Sequence, residues 1–240
     1  MNSAILTYHS LDETGSVISL RPADFQSQMA ALAASTVRVV PLPDVLKHPG
    51  AVAITFDDGF ASFADRAVPV LQRFSFPATV FIVSGYCGGR NNWPTQPCGV
   101  PQLPLMSWSA LRDLPAGISL GAHCVTHPNL RALTDRQLED EVRQSRVEIE
   151  QRTSRAVEAF AYPYGAVDAR AAAVVRPEFR VACGTRLHFA SPSSDPVLLP
   201  RLDAYYLKSE WWFRDLLGGT RRMYIALRRA MREARACISG

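Results

Sequence analysis

The sequence lacks the cysteine pattern of a disulfide framework or of a thiolate zinc site. Its 240 residues include five cysteines, an odd number, and no two of them have CxxC spacing. Disulfide frameworks use paired cysteines, and thiolate zinc sites use closely spaced ones. We therefore expect free thiols in a reducing compartment.

Two further absences bear on location. No tract approaches the roughly 20 consecutive apolar residues that span a bilayer. The opening segment, "MNSAILTYHS", has neither the basic region nor the long apolar region of a secretory signal. These features predict a cytoplasmic location.

Nucleotide binding and nucleic-acid binding have little support in the sequence. No glycine-rich phosphate loop follows any strand-like segment. The net charge is +4, but segment 221–236, "RRMYIALRRAMREARA", has six arginines and one glutamate, a local charge of +5. The remainder of the chain is near neutral, so we expect no nucleic-acid partner.

Strand-like and helical segments alternate along most of the chain. Apolar runs such as "AILTY" (4–8) and "VAITF" (52–56) are typical of buried strands. The clearest helix is predicted from Thr134 to Gln151, where Thr134 and Gln137 fit a capping box. This alternation predicts parallel βα units in an α/β fold, either an open doubly wound sheet or a barrel.

Residues suited to metal chemistry follow several of the predicted strands. Asp57 and Asp58 come directly after "VAITF", while His123 and His127 lie in "HCVTH" at the end of "ISLGAH". In parallel βα folds the reactive groups collect at the carboxyl ends of the strands. Two histidines and one aspartate leave coordination positions open for water, as in catalytic zinc sites, and the second aspartate is then free to act as a base. Taken singly, the aspartates could cap the next helix and the histidines could be packing residues.

Three motifs in this order give the chain a specific resemblance. The first is T-F-D-D-G at residues 55–59, and the second is H-[ST]-x-x-H at 123–127, with Cys124 in place of Ser or Thr. The third is R-x-P-Y, matched by "AYPY" at 161–164 without its arginine. With these motifs, residues 4 to 207 resemble the NodB-homology polysaccharide deacetylases of carbohydrate esterase family 4.

The resemblance implies a fold, a cofactor and roles for individual residues. The fold would be a distorted (β/α) barrel with fewer than eight strands over residues 1–207, followed by a basic helical extension over 208–240. A divalent metal, most often zinc (Zn²⁺), would lower the pKa of a water molecule for attack on an acetamide carbonyl. The implied site residues are Asp58, His123 and His127 as metal ligands, Asp57 as general base, the backbone N–H of Tyr164 as oxyanion donor, and Trp93, Pro163 and Tyr164 as sugar contacts.

Two departures from the family pattern concern catalysis. Ala161 stands where the family has an arginine that holds the catalytic aspartate, and Arg201 in "LLPRL" is our candidate replacement, with a surface or strand-end arginine as the alternative. The late L-x-H motif, which supplies the proton donor, is missing. His188 in "RLHF" is our first candidate for that donor and His9 the second; the alternative for His188 is a loop histidine.

The predicted function is a metal-dependent hydrolase that removes N-acetyl groups from the amino sugars of a polysaccharide, an oligosaccharide or a lipid-linked glycan. We expect a role in exopolysaccharide or cell-envelope glycan biosynthesis. An O-acetyl esterase or a cyclic-amide hydrolase on the same scaffold is one alternative, and a carbohydrate-binding relic without turnover is the other.

The basic tail suggests a second kind of partner. Tyr224, Leu227 and Met231 fall on one helical stripe among arginines, a pattern typical of helices that rest on anionic lipid. Residues 221–236 could therefore contact the cytoplasmic face of a membrane peripherally. A solvated or oligomer-contacting helix is the alternative, and the sequence gives no signal for an oligomeric state.

Overall fold

A closed barrel of seven parallel strands forms the centre of the fold. The structure is a computed structural model that describes residues 1–238, with side chains as far as residue 231. In chain order the strands are β1 (Ala4–Tyr8), β2 (Ser10–Leu11), β3 (Ser19–Leu20), β4 (Val52–Phe56), β5 (Ala78–Ile82), β6 (Ile118–Ala122), β7 (Ala159–Ala161), β8 (Val181–Leu187) and β9 (Leu199–Asp203), of which β2 and β3 form a separate pair. The α-helices are α1 (Pro22–Ala33), α2 (Val68–Arg73), α3 (Trp108–Arg112), α4 (Asp135–Thr153), α5 (Ala169–Glu178) and α6 (Gly219–Ile238). The prediction of a barrel with fewer than eight strands is confirmed.

The barrel strands are buried on both faces, which explains their continuous apolar sequences. All five residues of β1, of β4 and of β5 are buried, as expected for strands with side chains on one face in the barrel and on the other against helices. Strands β5 and β6 end level, because Ile82 pairs with Ala122. The residues that follow β4 and β6, Asp57 and His123, are therefore brought to the same rim of the barrel.

Helix α4 forms where the sequence predicts it. Thr134 is its N-cap, and the capping box with Gln137 is present in both directions. The apolar stripe that includes Leu138, Val142 and Ile149 is buried in the main core. Because this stripe holds α4 against the barrel, the helix can support the loop that follows β6.

The segment after β9 packs back onto the barrel. Trp212 stacks on Tyr224 of α6 with ring centroids 4.1 Å apart, and Phe213 and Ile225 are buried in the main core. On the outward side of α6, Met223 and Leu227 are exposed. Helix α6 therefore has two apolar faces: one packs on the barrel, and the other is exposed to solvent.

Three sequence expectations concern the chain as a whole. The boundary between a domain at 1–207 and an extension at 208–240 stays a prediction. Within the described residues, no helix combines the length and the apolar character that a membrane crossing requires. Free thiols were expected, and Cys87, Cys98, Cys124 and Cys183 are unpaired; the side chain of Cys237 lies beyond the described ones.

Candidate metal centre and active site

The turn after β4 separates the two adjacent aspartates. Asp58 and Gly59 both have left-handed backbone conformations, with φ of 71° and 75°, which only glycine adopts without strain. A Cβ on Gly59 would lie 3.0 Å from Cδ1 of Ile82. The turn allows Asp57 to contact Arg201 while Asp58 contacts the two histidines.

The turn after β6 presents the two histidines. Nδ1 of His123 lies 2.7 Å from the carbonyl oxygen of Ala161, so Nδ1–H donates there and the lone pair of Nε2 faces the site. The ring of His127 lies between those of Trp93, at 4.3 Å, and Tyr164, at 4.5 Å. His123 is thus oriented by a hydrogen bond, and His127 by aromatic packing.

Three buried donor atoms converge. Nε2 of His123 and Nε2 of His127 are 3.2 Å apart, and Oδ1 of Asp58 lies 3.5 Å from the first and 3.4 Å from the second. Zinc bonds of about 2.0–2.1 Å in a tetrahedral arrangement separate ligand atoms by about 3.3 Å. The three donors therefore have the spacing that a zinc-sized ion requires.

The electrostatics of these groups also fit a cation. Oδ1 of Asp58 has no hydrogen-bond partner among the described residues. Burial raises the pKa of Asp58 and holds the pKa of His127 well below its usual range, because each loses water around its charged form. A neutral imidazole and an unpartnered carboxylate oxygen are what a divalent ion needs as ligands.

Arg201 forms a two-pronged ion pair with Asp57. Its Nη1 and Nη2 donate to the two carboxylate oxygens at 2.6 and 2.7 Å, and both residues are buried. Burial alone would raise the pKa of Asp57, but the guanidinium outweighs burial and holds that pKa well below its usual range. The Nε of Arg201 also donates to the carbonyl of Gly184 at 3.0 Å, so β9 supplies the guanidinium that Ala161 on β7 cannot.

Glu141 was missed by the sequence reasoning. From α4, its carboxylate accepts hydrogen bonds from the backbone N–H of Val125 at 2.8 Å and of Thr126 at 2.9 Å. It also accepts from the hydroxyl of Thr126 at 2.5 Å. These bonds fix the turn between the two histidines. No sequence signal separates Glu141 from the other acidic residues of α4.

The two candidate proton donors are placed differently. His9 lines the cavity above the metal-ligand triad, and its Nε2 lies 3.9 Å from Oδ2 of Asp57. His188 does not line that cavity, and its Nδ1 lies 2.7 Å from the carbonyl of Phe189. At His188 the chain has already turned away from the cavity, because Ala190, two residues later, pairs with Ser3 at the opposite end of the barrel. His9 is therefore the better placed of the two candidates, and the identity of the proton donor stays a prediction.

The three expected sugar contacts differ in their access to the cavity. Trp93 is only 2% exposed, since its ring stacks on His127 and its Nε1 donates to the hydroxyl of Tyr164 at 3.1 Å. It supports a histidine and has little face to offer a sugar. Pro163 is buried and does not line the cavity, whereas Tyr164 is 40% exposed and does.

A cavity of about 200 Å³ lies over the triad. One wall comes from the long loop between β5 and α3, which contributes Trp93, Gln96, Pro97 and Val100. The floor is formed by both aspartates and both histidines. The cavity therefore gives a small acyl group direct access to the triad and to the Asp57–Arg201 pair.

The sequence was also compared with known proteins. A sequence model of the family described as "Polysaccharide deacetylase" matches residues 45–177, more than half of the chain. The chain belongs to the polysaccharide deacetylase family. The predicted membership of this family of hydrolases is confirmed. The matched range includes both aspartates, both histidines and Tyr164 but not Arg201 or His9.

Two curated relatives are similar over most of the chain. "Putative polysaccharide deacetylase YxkH" of Bacillus subtilis is 24% identical over 169 residues, which are 67% of this chain and 56% of that protein. Poly-beta-1,6-N-acetyl-D-glucosamine N-deacetylase of Staphylococcus epidermidis is 24% identical over 209 residues, which are 80% of this chain and 72% of that protein. The chain thus spans little more than half the length of the first relative, YxkH.

Solved structures share the fold. A polysaccharide deacetylase from Bacillus cereus, BC0361, has a TM-score of 0.74 at 22% identity, over 89% of this chain and 68% of that one. IcaB from Ammonifex degensii has a TM-score of 0.73 at 20% identity, over 89% of this chain and 97% of that one. At these identities the likeness establishes the barrel fold.

Proposed function

We propose that this protein is a divalent-metal-dependent hydrolase that removes N-acetyl groups from the amino sugars of a glycan. The observation that carries the proposal is the convergence of Asp58, His123 and His127, whose donor atoms lie 3.2–3.5 Å apart beside the Asp57–Arg201 pair. Family membership supports the reaction class, and the name of the staphylococcal relative supports an N-acetylglucosamine polymer as the type of substrate. The biosynthesis of exopolysaccharide or envelope glycan is the process that fits such a substrate.

The metal would be held by Asp58, His123 and His127. When bound, a divalent ion such as zinc supplies a Lewis acid that polarises the acetamide carbonyl and increases the acidity of water. Asp57 accepts the proton of the attacking water. The guanidinium of Arg201 keeps that carboxylate ionised and fixes its orientation, at some cost in basicity.

Two more groups complete the proposed mechanism. The backbone N–H of Tyr164, in a turn with φ of 58°, donates to the oxygen that becomes negative during attack. His9 lines the cavity close to Asp57 and has 24% of its side chain exposed. We therefore assign to His9 the role of general acid, which donates a proton to the departing amine.

Acetate release tests this function. The full chain is expected to release acetate from N-acetylglucosamine oligosaccharides, to lose this activity with a chelator and to regain it with zinc. Asp58→Asn should abolish metal binding and turnover together. Asp57→Asn should keep its metal while turnover falls by about 10²–10⁴-fold.

Several outcomes would reject the proposal. Release from O-acetylated sugars alone would make the protein an esterase. Binding of N-acetylated oligosaccharide without turnover of any acetylated substrate, in protein with stoichiometric zinc, would make it a carbohydrate-binding relic.

We also propose that the outer face of α6 rests on an anionic bilayer. Met223, Leu227 and Met231 are 71%, 61% and 41% exposed, and their i, i+4, i+8 spacing places them on one face. Six arginines and one glutamate in 221–236 supply positive charge, and the arginines beyond residue 231 lie outside the described side chains. Exposed apolar side chains among arginines match an anionic lipid surface. The unpaired thiols support a reducing compartment, hence the cytoplasmic face.

Flotation with vesicles tests the membrane contact. The full chain should float with vesicles that contain phosphatidylglycerol and much less with pure phosphatidylcholine. Leu227→Glu should reduce flotation, while Val147→Glu, at a residue 46% exposed on α4, should not. Equal flotation of the two variants would reject the contact.

A further inference from the structure

A second cavity, which we call the arginine groove, adjoins the candidate active site. Its volume is about 600 Å³. Thr185 lines both cavities, and Gly165, which follows the proposed oxyanion donor Tyr164, lines the groove. A sugar bound with its acetamide over the triad would therefore have its next substituent within reach of the groove.

The arginine groove has charge of one sign. Arg131, Arg186 and Arg229 line it, and none of the described residues that line it is acidic. They come from three elements: a short 3-10 helix (Leu130–Ala132) between β6 and α4, the end of β8, and α6. Like charges brought together repel each other, and an anion bound between them would reduce that repulsion. Arg131 and Arg186 lie outside the basic segment 221–236, so it is the tertiary structure that groups them with Arg229.

The guanidinium groups are suited to an oxyanion. Arg131 is anchored by Nε and Nη2, which donate to the carbonyl of Val167 at 3.1 and 2.9 Å, and Arg186 is exposed. Planar guanidinium groups bind phosphate oxygens through paired hydrogen bonds. Leu187 and Leu198, the latter 42% exposed, add apolar surface to the same groove.

We infer that the arginine groove binds a phosphate ester carried by the glycan substrate. This inference rests on the proposed function, because it states that the glycan deacetylated at the candidate active site is phosphorylated rather than neutral. The phosphate could link the glycan to a lipid or belong to a phosphorylated polymer. The apolar surface that Leu187 and Leu198 add to the groove favours the lipid phosphate.

The first test measures binding without turnover. Geranyl phosphate and glycerol phosphate are titrated into the full chain by calorimetry. Arg186→Gln should weaken geranyl phosphate binding by about tenfold, as expected for a charged hydrogen bond. Arg136→Gln, at an exposed residue of α4 whose nearest acidic partner is Asp140 at 3.9 Å, is the matched control and should leave binding unchanged. Arg229→Gln provides a second groove variant if Arg186→Gln does not fold.

The second test measures substrate preference. An N-acetylglucosamine oligosaccharide is compared with the same molecule carrying a prenyl phosphate or a simple phosphate. The proposal predicts a lower KM for both phosphorylated forms than for the neutral form. In Arg186→Gln the KM of the phosphorylated forms should rise about tenfold, while the KM of the neutral form should stay the same. A preference for the prenyl form assigns the groove to a lipid-linked glycan, and equal use of both forms assigns it to a phosphorylated polymer.

The outcomes separate this inference from the proposed function. Equal KM values for neutral and phosphorylated substrates, or geranyl phosphate binding that Arg186→Gln and Arg229→Gln leave unchanged, would overturn the inference while deacetylation stands. Conversely, groove-dependent phosphate binding by a protein that hydrolyses no acetylated sugar would reject the deacetylase function and leave the phosphate site in place.

Discussion

Asp57 and Asp58 are chemically identical neighbours whose surroundings give them different tasks. The left-handed turn at Asp58 and Gly59 places Asp57 against the guanidinium of Arg201 and Asp58 against the imidazoles of His123 and His127. The first carboxylate is compensated by a charge within the chain. Under the proposed function, the second would be compensated by a bound divalent cation.

Arg201 should be far more important to stability than a surface arginine. Arg201→Met leaves Asp57 buried without a partner, and we expect a loss of about 3–5 kcal/mol in the free energy of unfolding, measured in urea. Arg180→Met, which removes an exposed pair with Glu158, should cost less than about 1 kcal/mol. A similar small loss for Arg201→Met would contradict the assigned role.

The two histidines outside the triad make a matched pair of variants. His9→Gln should lower kcat by about 10²–10³-fold, because the departing amine loses its proton donor, with bound zinc unchanged. His188→Gln should retain activity, since His188 does not line the cavity. The measurement is steady-state acetate release, and the reverse pattern would restore our original ranking of the two histidines.

At the scale of elements, α4 supports the metal centre without contacting it. Its N-terminal cap and buried stripe fix the helix, and Glu141 accepts three hydrogen bonds from the turn between the ligand histidines. The long loop after β5 acts on the same turn from the other side. There Thr95 donates to the carbonyl of His127 at 2.7 Å.

Removal of the Glu141 carboxylate should therefore weaken the metal site. Glu141→Ala is expected to raise the zinc dissociation constant by about 10–100-fold, because the turn no longer holds both imidazoles in place. Glu139→Ala, which removes an exposed pair with Arg143, is the control. Competition with a chromogenic chelator gives both constants, and equal constants would show that Glu141 has no role in positioning.

At the scale of the whole molecule, the metal should link distant parts of the barrel. Its ligands come from the ends of β4 and β6, so an ion binds the folded chain and not the unfolded one. At 100 times the dissociation constant, zinc contributes about 2.7 kcal/mol, which for a chain of this size raises Tm by about 5–10 °C. Calorimetry of the wild type and of Asp58→Asn checks this, and an equal rise in both would contradict the ligand set.

The sequence by itself determined what depends on neighbours along the chain. Continuous apolar runs specified buried strands, and Thr134 and Gln137 specified the start of α4. The three motifs indicated the family, which the family model confirms, and they predicted the candidate metal ligands. These features are local because strand burial, helix capping and tight turns each involve only a few consecutive residues.

Only the tertiary structure decided which distant side chains meet. Arg201 and Asp57 are 144 residues apart, and their pairing follows from barrel closure, which places β9 beside β1. The same closure turns His188 away from the cavity, buries Trp93 against His127 and brings three arginines into one groove. Such contacts depend on strand register and on the packing of the last helix, which no short stretch of sequence records.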